Sequence, residues 1–273
     1  MINKKQFSAL IVSLILAMLI SNTVSAVNLN NPTNQTIKTN NTISSTVFTG
    51  LNKTQSSHNL KQVSVKTLNI TNVNYGSYFN QNGSFKKGII KTGDILKLYG
   101  KFYKKDFNIN IPVNLIGYSA TIYNGTIKVA ATGSGTNISN IFINNDNRMG
   151  IIINGSNSNT LKNNTIFTFG NSESISVYLK DSKHNKLINN TIKTSGNYIT
   201  YGILLYESYN NEIRSNNIKV TGTSQALSYA PSIKVADIGE IEEIFPTYGT
   251  ILLFSSGNKI LNNNVQLESG FKN

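Results

Sequence analysis

The stretch KHNKLINNTIKTSG, Lys183–Gly196, sets asparagines inside a run of aliphatic and β-branched residues. Asparagine is depleted from strands because its side chain competes for backbone hydrogen bonds, so Asn189 and Asn190, between Leu187 and Ile192, should break one. The same break recurs when GIIINGSNSNTLKNNTIFTFG (from Gly150), SVYLKDSKHNKLINNTIKTSG (from Ser176), GILLYESYNNEIRSNNIKVTG (from Gly202) and GTILLFSSGNKILNNNVQLESG (from Gly249) are aligned. The first three begin 26 residues apart and the fourth is displaced by a further 21. Four columns hold their register: Asn159, Asn185, Asn211, Asn258; Leu161, Leu187, Ile213, Ile260; Asn164, Asn190, Asn216, Asn263; and Ile166, Ile192, Ile218, Val265. Ile138, Asn140 and Ile143 repeat the local pattern one shorter turn upstream.

A period in the low to mid twenties with short strand-like bursts suits a solenoid in which each repeat is one coil. Coils would stack about 4.8 Å apart, each strand pairing in parallel with its copies above and below. Leu161 and Ile166 would then begin continuous inward stacks. The asparagines would form the corners, since asparagine tolerates the left-handed region and its amide can bond the equivalent amide one coil away. Both asparagine columns are therefore expected to be structural ladders, with Ser215 interrupting the neighbouring Asn163, Asn189, Asn262 column. Leucine-rich repeats share the period but require a dense leucine framework and one strand per repeat. The expectation is an all-β, right-handed single-stranded parallel β-helix of about seven coils over residues 89–270. Helix is expected only as a short turn near Tyr75 to Phe79.

Outward from the repeat the texture changes. Lys4 and Lys5, the apolar run Phe7 to Ile20, and Val24-Ser25-Ala26 read as a signal peptide, residues 1–26, cleaved after Ala26. No second apolar span follows, so no integral membrane span is expected after cleavage, and the product should be secreted or held at the cell surface. Residues 27–70, rich in Asn, Thr, Ser and Lys, lack the apolar surface to offset ordering and read as a leader or stalk. Its sequons, Asn34, Asn40, Asn52 and Asn69, are candidate glycosylation positions. The β-helix domain is placed at 71–273, with an inserted acidic segment at 223–248. The absence of cysteine excludes disulfides and thiolate metal sites. The formal net charge of +13 becomes +11 once Lys4 and Lys5 are removed. That balance favours an anionic polysaccharide or cell-wall polymer as partner. Nucleic acid is not expected, because Arg148 and Arg214 are the only arginines.

The run NYGSYFNQNGSFKKGIIKTGDILKLYGKFYKKDFNINIPVNLIG, Asn74 to Gly117, resembles the opening of the right-handed β-helix domain of archaeal adhesin-like surface proteins. The repeats resemble NosD-like and pectate-lyase-like β-helix repeats. Together the likeness covers about residues 74–270. It implies the β-helix fold and a role in surface attachment.

Related β-helix enzymes, as the resemblance implies, cluster carboxylates on one strand face. Calcium needs several such oxygens together, and glycoside hydrolysis needs two carboxyls about 5 to 9.5 Å apart. Here the acids are scattered, among them Asp94, Asp106, Asp146, Glu173, Glu212 and Glu268. Asp181 and Glu207 share a repeat position one coil apart, where a solvated turn is the simpler reading. Asp237, Glu240, Glu242 and Glu243 in the insertion are weak cation-binding candidates. Copper handling finds no soft ligand set, since Met149 is the only methionine after the leader and His184 stands alone at a turn. No catalytic residue, metal or cofactor is assigned. Tyr178, Tyr206, Tyr209 and Phe254 are candidates for sugar stacking. The expected function is non-catalytic attachment to glycans, cell wall or other cells. A polysaccharide lyase or glycoside hydrolase on the same fold is the alternative. An uncovered last coil would also favour self-association through strand edges.

Overall fold

A computed structural model of the chain describes residues 64–146, 149–170, 173–196, 199–222, 233–236 and 247–269. All of them belong to one compact unit, Leu60–Asn273. The strands wind into coils with three faces. Face 1 carries β1 (Thr67–Thr71), then the first halves of β2 (Ile95–Tyr103), β4 (Asn114–Tyr123) and β6 (Asn137–Asp146). It continues through β8 (Thr160–Lys162), β11 (Lys186–Ile188), β14 (Glu212–Arg214) and β18 (Lys259–Leu261). Face 2 takes the second halves of β2, β4 and β6, which turn the corner unbroken, then β9 (Thr165–Gly170), β12 (Thr191–Gly196), β15 (Asn217–Gly222) and β19 (Asn264–Ser269).

Face 3 is β3 (Phe107–Ile109), β5 (Ile127–Val129), β7 (Ile151–Asn154), β10 (Glu173–Lys180), β13 (Ile199–Tyr206) and β17 (Thr247–Leu253). Every pairing between these strands is parallel, and seven strands follow β1 on face 1, in keeping with the expected number of coils. One strand was not foreseen. The inserted segment contributes β16 (Ile233–Ala236), which pairs in parallel with β17 and forms the edge of face 3.

The inward columns are continuous. Leu96, Leu115, Ile138, Leu161, Leu187 and Ile213 stack on face 1 with no exposed surface, and Phe102, Ile122, Ile143, Ile166, Ile192 and Ile218 do the same on face 2. Face 3 adds Ile109, Val129, Ile153, Leu179, Leu205 and Leu252. Parallel strands stacked in register let like residues fill like spaces, so the repeat columns are the core.

The N-terminal end of this core is covered by aromatics. Helix α1 (Tyr75–Tyr78) is a single turn that stacks Tyr75 on Phe79 at 4.6 Å between ring centroids. Phe79 in turn meets Phe85 at 5.4 Å and the edge of Phe107 at 5.1 Å. The Tyr75 hydroxyl donates to the carbonyl of Asp106. Burial first, and then the Asp106 charge, raise its pKa, so it remains a donor. Gly83, at φ +82°, lies so close to the Asp106 backbone that a Cβ would stand 2.4 Å from the carbonyl oxygen. Buried Asp94 pins β1 to the first coil by accepting from the amides of Lys66 at 2.9 Å and Lys91 at 2.8 Å. The sheet thus begins at Thr67, within the stretch that composition assigns to the leader, because β1 is polar on its outward side and buries only Ile70.

Candidate functional site

The corner asparagines divide into two kinds, which corrects the expectation that one residue does both jobs. In the last four coils the left-handed residues at the turn from face 1 to face 2 are Asn163, Asn189, Ser215 and Asn262, with φ between 52° and 57°, and all four are exposed. The ladder residues Asn164, Asn190, Asn216 and Asn263 follow them, and none has positive φ. A left-handed residue turns its own side chain to solvent and swings the next one inward, so the amide lands inside the corner.

There Asn190 Oδ1 accepts from Asn164 Nδ2 at 3.1 Å and from the Asn164 amide at 3.0 Å, while Asn190 Nδ2 donates to Asn216 Oδ1 at 2.9 Å and to the Leu161 carbonyl at 3.0 Å. Asn216 continues to Asn263 at 2.9 Å. The second ladder, Asn159 to Asn185 to Asn211 to Asn258, has amide contacts of 2.8, 3.1 and 3.0 Å. Ser158, His184, Asn210 and Gly257 are its left-handed partners. His184 is accordingly an exposed turn residue whose amide donates to the Tyr209 carbonyl. Both ladders are scaffold.

Asp181 and Glu207 do meet. They stand one coil apart at the end of face 3, both with positive φ, and their carboxyls share a hydrogen bond. The Glu207 pKa is raised, first by desolvation and then by the hydrogen bond and charge of Asp181, with Lys180 opposing. Tyr206, beside them, has its phenol raised by burial and by the charges of Glu207 and Asp181, and it meets the edge of Phe254 at 5.6 Å. A carboxylate beside Glu207 disfavours the charged form, so Glu207 holds its proton more readily than an isolated glutamate does.

The other candidate is the outward side of face 2. Strand register places Tyr103, Tyr123, Asn144, Phe167, Lys193 and Lys219 in one file along the axis. Tyr103 and Tyr123 stack at 5.1 Å, Phe142 meets Phe167 edge-on at 5.0 Å, and the Lys193 ammonium sits 4.7 Å over the Phe167 ring. Phe169 is 47% exposed in the next file. The surface dips here into a depression of about 290 Å³, and Lys219 is paired with Glu268 at 2.7 Å. The sequence reading missed this file, because its members belong to coils of unequal length.

Of the residues proposed for sugar stacking, Tyr178 packs on a separate apolar cluster of Ile175, Tyr201, Leu204 and Ile251. Met149 packs on the same cluster. Tyr209 lies under the Lys183 ammonium at 5.7 Å. The sequon Asn69 is exposed within β1. Asn34, Asn40, Asn52, the cleavage position at Ala26, and the acids Asp237, Glu240, Glu242 and Glu243 lie outside the described residues. Among the described residues, no group of three or more His, Cys, Asp or Glu side chains is placed to hold a metal ion, and no helix is long and apolar enough to cross a membrane.

Parallel strands on three faces, inward aliphatic columns and amide ladders define the class: a right-handed parallel β-helix. Residues 108–265, more than half of the chain, match the family model of the right handed beta helix region, and the chain belongs to that family. No curated protein and no solved structure matches it significantly.

Proposed function

We propose that this chain is an exported β-helix of the adhesin-like kind, which attaches to glycans or cell-wall polymer through its outward strand faces and does so without turnover. The observation that carries this reading is the file of aromatic rings and lysines on face 2. Such residues could be placed anywhere on a solenoid surface, yet here they stand in register along the axis. Aromatic faces receive the C–H faces of sugars, and ammonium groups receive acidic substituents. The charged and apolar segments of residues 1–26 support export, and the formal net charge of +13 supports an anionic partner.

The second reading, a polysaccharide-cleaving enzyme, draws its support from Asp181 and Glu207 standing side by side, with the Glu207 pKa raised in the direction that general acid catalysis requires. Both readings are tested by incubating the purified protein with a panel of neutral and acidic polysaccharides, with and without calcium, and measuring retention and new reducing or unsaturated ends. Retention without product supports attachment. Product formation that Glu207→Gln abolishes would replace attachment by catalysis.

A further inference from the structure

We infer that face 2 holds a linear acidic polysaccharide lying parallel to the solenoid axis, over the file from Tyr103 to Lys219. This rests on the attachment reading and names its ligand class and its surface. The geometry sets the direction. Parallel coils repeat every ~4.8 Å along the axis, so a ligand crossing the strands at right angles meets an equivalent position at each step, whereas one running along a strand leaves the face after a few residues.

The order of side chains in the file sets the chemistry. Tyr103 and Tyr123 lie nearly parallel, at 11° between ring planes, and offer an aromatic platform at one end. Phe167 and the exposed ring of Phe169 extend the apolar track beside Asn144. Lys193 and Lys219 follow in the next two coils. Lys193 is exposed, and its described contact is with the Phe167 ring rather than with a carboxylate. An ammonium held over a ring keeps its outer N–H donors free for an incoming anion. A sugar stacked beside Phe167 therefore has a cation at its edge, where an acidic substituent would sit.

Beside Lys193 and Lys219 the flanking files carry hydroxyl and amide side chains, and the file that holds Phe169 begins at Asp146 and ends at Glu268. Thr165, Thr191 and Asn217 stand on one side, and Ser195 and Thr221 on the other. These both donate and accept, as ring hydroxyls require. Neutral sugar would satisfy the rings and hydroxyls but offer no anion to the outward donors of Lys193, while Lys219 already meets Glu268. The charge of the file and of the whole chain selects the acidic class.

Face 1 provides the control. Lys162 and Lys186 are exposed lysines on neighbouring coils there, so replacing them removes the same charge from a different face. The full chain is titrated with alginate, dextran sulfate and neutral dextran, for wild type, for Lys193→Gln with Lys219→Gln, for Lys162→Gln with Lys186→Gln, and for Phe167→Ala. Unchanged thermal unfolding of the two lysine doubles confirms that they are folded.

Wild type should bind alginate or dextran sulfate and not dextran, with binding that weakens as salt is added. The face 2 double should bind about tenfold more weakly, the sum of two exposed ion contacts, and the face 1 double should bind like wild type. Equal losses in the two doubles would mean diffuse attraction and overturn the assignment while leaving attachment intact. Tight binding of neutral dextran would overturn the ligand class. Binding to none of the three would overturn this inference, and retention of some other glycan in the wider panel would still uphold attachment.

Discussion

Replacing Asn190 by leucine tests whether the amide ladder holds the corner or merely occupies it. Asn190 is 2% exposed and its side chain makes four hydrogen bonds. Leucine keeps the γ-branched shape and heavy-atom count of asparagine with bulkier methyl ends, so packing alone predicts a smaller change. The ladder predicts otherwise. The Asn164 amide loses its acceptor among the described residues, and the Leu161 carbonyl and Asn216 Oδ1 each lose a donor.

Asn216 Oδ1 keeps the Asn190 backbone amide, and Asn164 Nδ2 keeps the Ile138 carbonyl, so these two groups remain partly satisfied. One stranded amide and one weakened carbonyl, at about 1–3 kcal/mol for each group left unpaired, give a loss of about 3 kcal/mol after the gain from burying leucine is allowed for. In a unit of this length that is a fall in Tm of roughly 6–12 °C, since each kcal/mol moves Tm by about 2–4 °C. The comparison variant is Asn189→Gly, at the exposed left-handed position one residue earlier. Glycine adopts that conformation freely, so its Tm should stay within about 2 °C of wild type. Calorimetry or circular dichroism on the three proteins decides it. If Asn190→Leu melts with wild type, or if Asn189→Gly falls as far, the ladder is not what holds the corner.

Three further outcomes follow from other parts of the coil. Thr250 is buried with its hydroxyl unpaired among the described residues, in the file where Ile203 stands one coil earlier, so Thr250→Val should raise stability by about 1 kcal/mol in urea titration. Phe79→Ala removes the centre of the aromatic cover over Phe107 and should cost about 3–5 kcal/mol by the same assay. Glu207 has a pKa raised above its ordinary 4.5, so the folded state holds the proton more tightly than the unfolded chain does. Stability should therefore decline as pH rises above about 4.5 and level off beyond the folded pKa. The urea midpoint of Glu207→Gln should decline less over that range, and a parallel decline would refute the assignment.

The last four coils were legible because their columns stand at a fixed spacing, interrupted once by the insertion. Leu161, Leu187 and Ile213 are inward stacks both in the alignment and in the pairing register. Of the earlier coils, only the one carrying Ile138, Asn140 and Ile143 showed the column pattern, and the others were legible as strand bursts. Their lengths differ, and Leu96, Leu115 and Ile138 become one column only when strands are paired. The same inequality hid the face 2 file, since Tyr103, Tyr123 and Phe167 have no common period. The left-handed and ladder asparagines are adjacent in sequence and identical in type, so composition could not separate their duties. Ser215 was the clue: a ladder cannot accept serine without losing its amide, whereas an exposed left-handed turn can. Nor could periodicity reveal β16, whose residues belong to no repeat column.

Register makes the outer surface as ordered as the core, and that has opposite consequences at two places. At the end of face 3 it puts Asp181 beside Glu207, where desolvation and like charge make ionisation of Glu207 less favourable. On face 2 it puts rings beside cations, where the contact is favourable in the free protein and leaves donors pointing outward. The two places lie across the coil from each other, one at the turn from face 3 to face 1 and the other on the remaining face. A polymer lying along face 2 therefore need not touch Glu207. Attachment and any chemistry at the carboxyl pair are separable, so Glu207→Gln should leave polysaccharide retention unchanged even where it alters the pH dependence of stability.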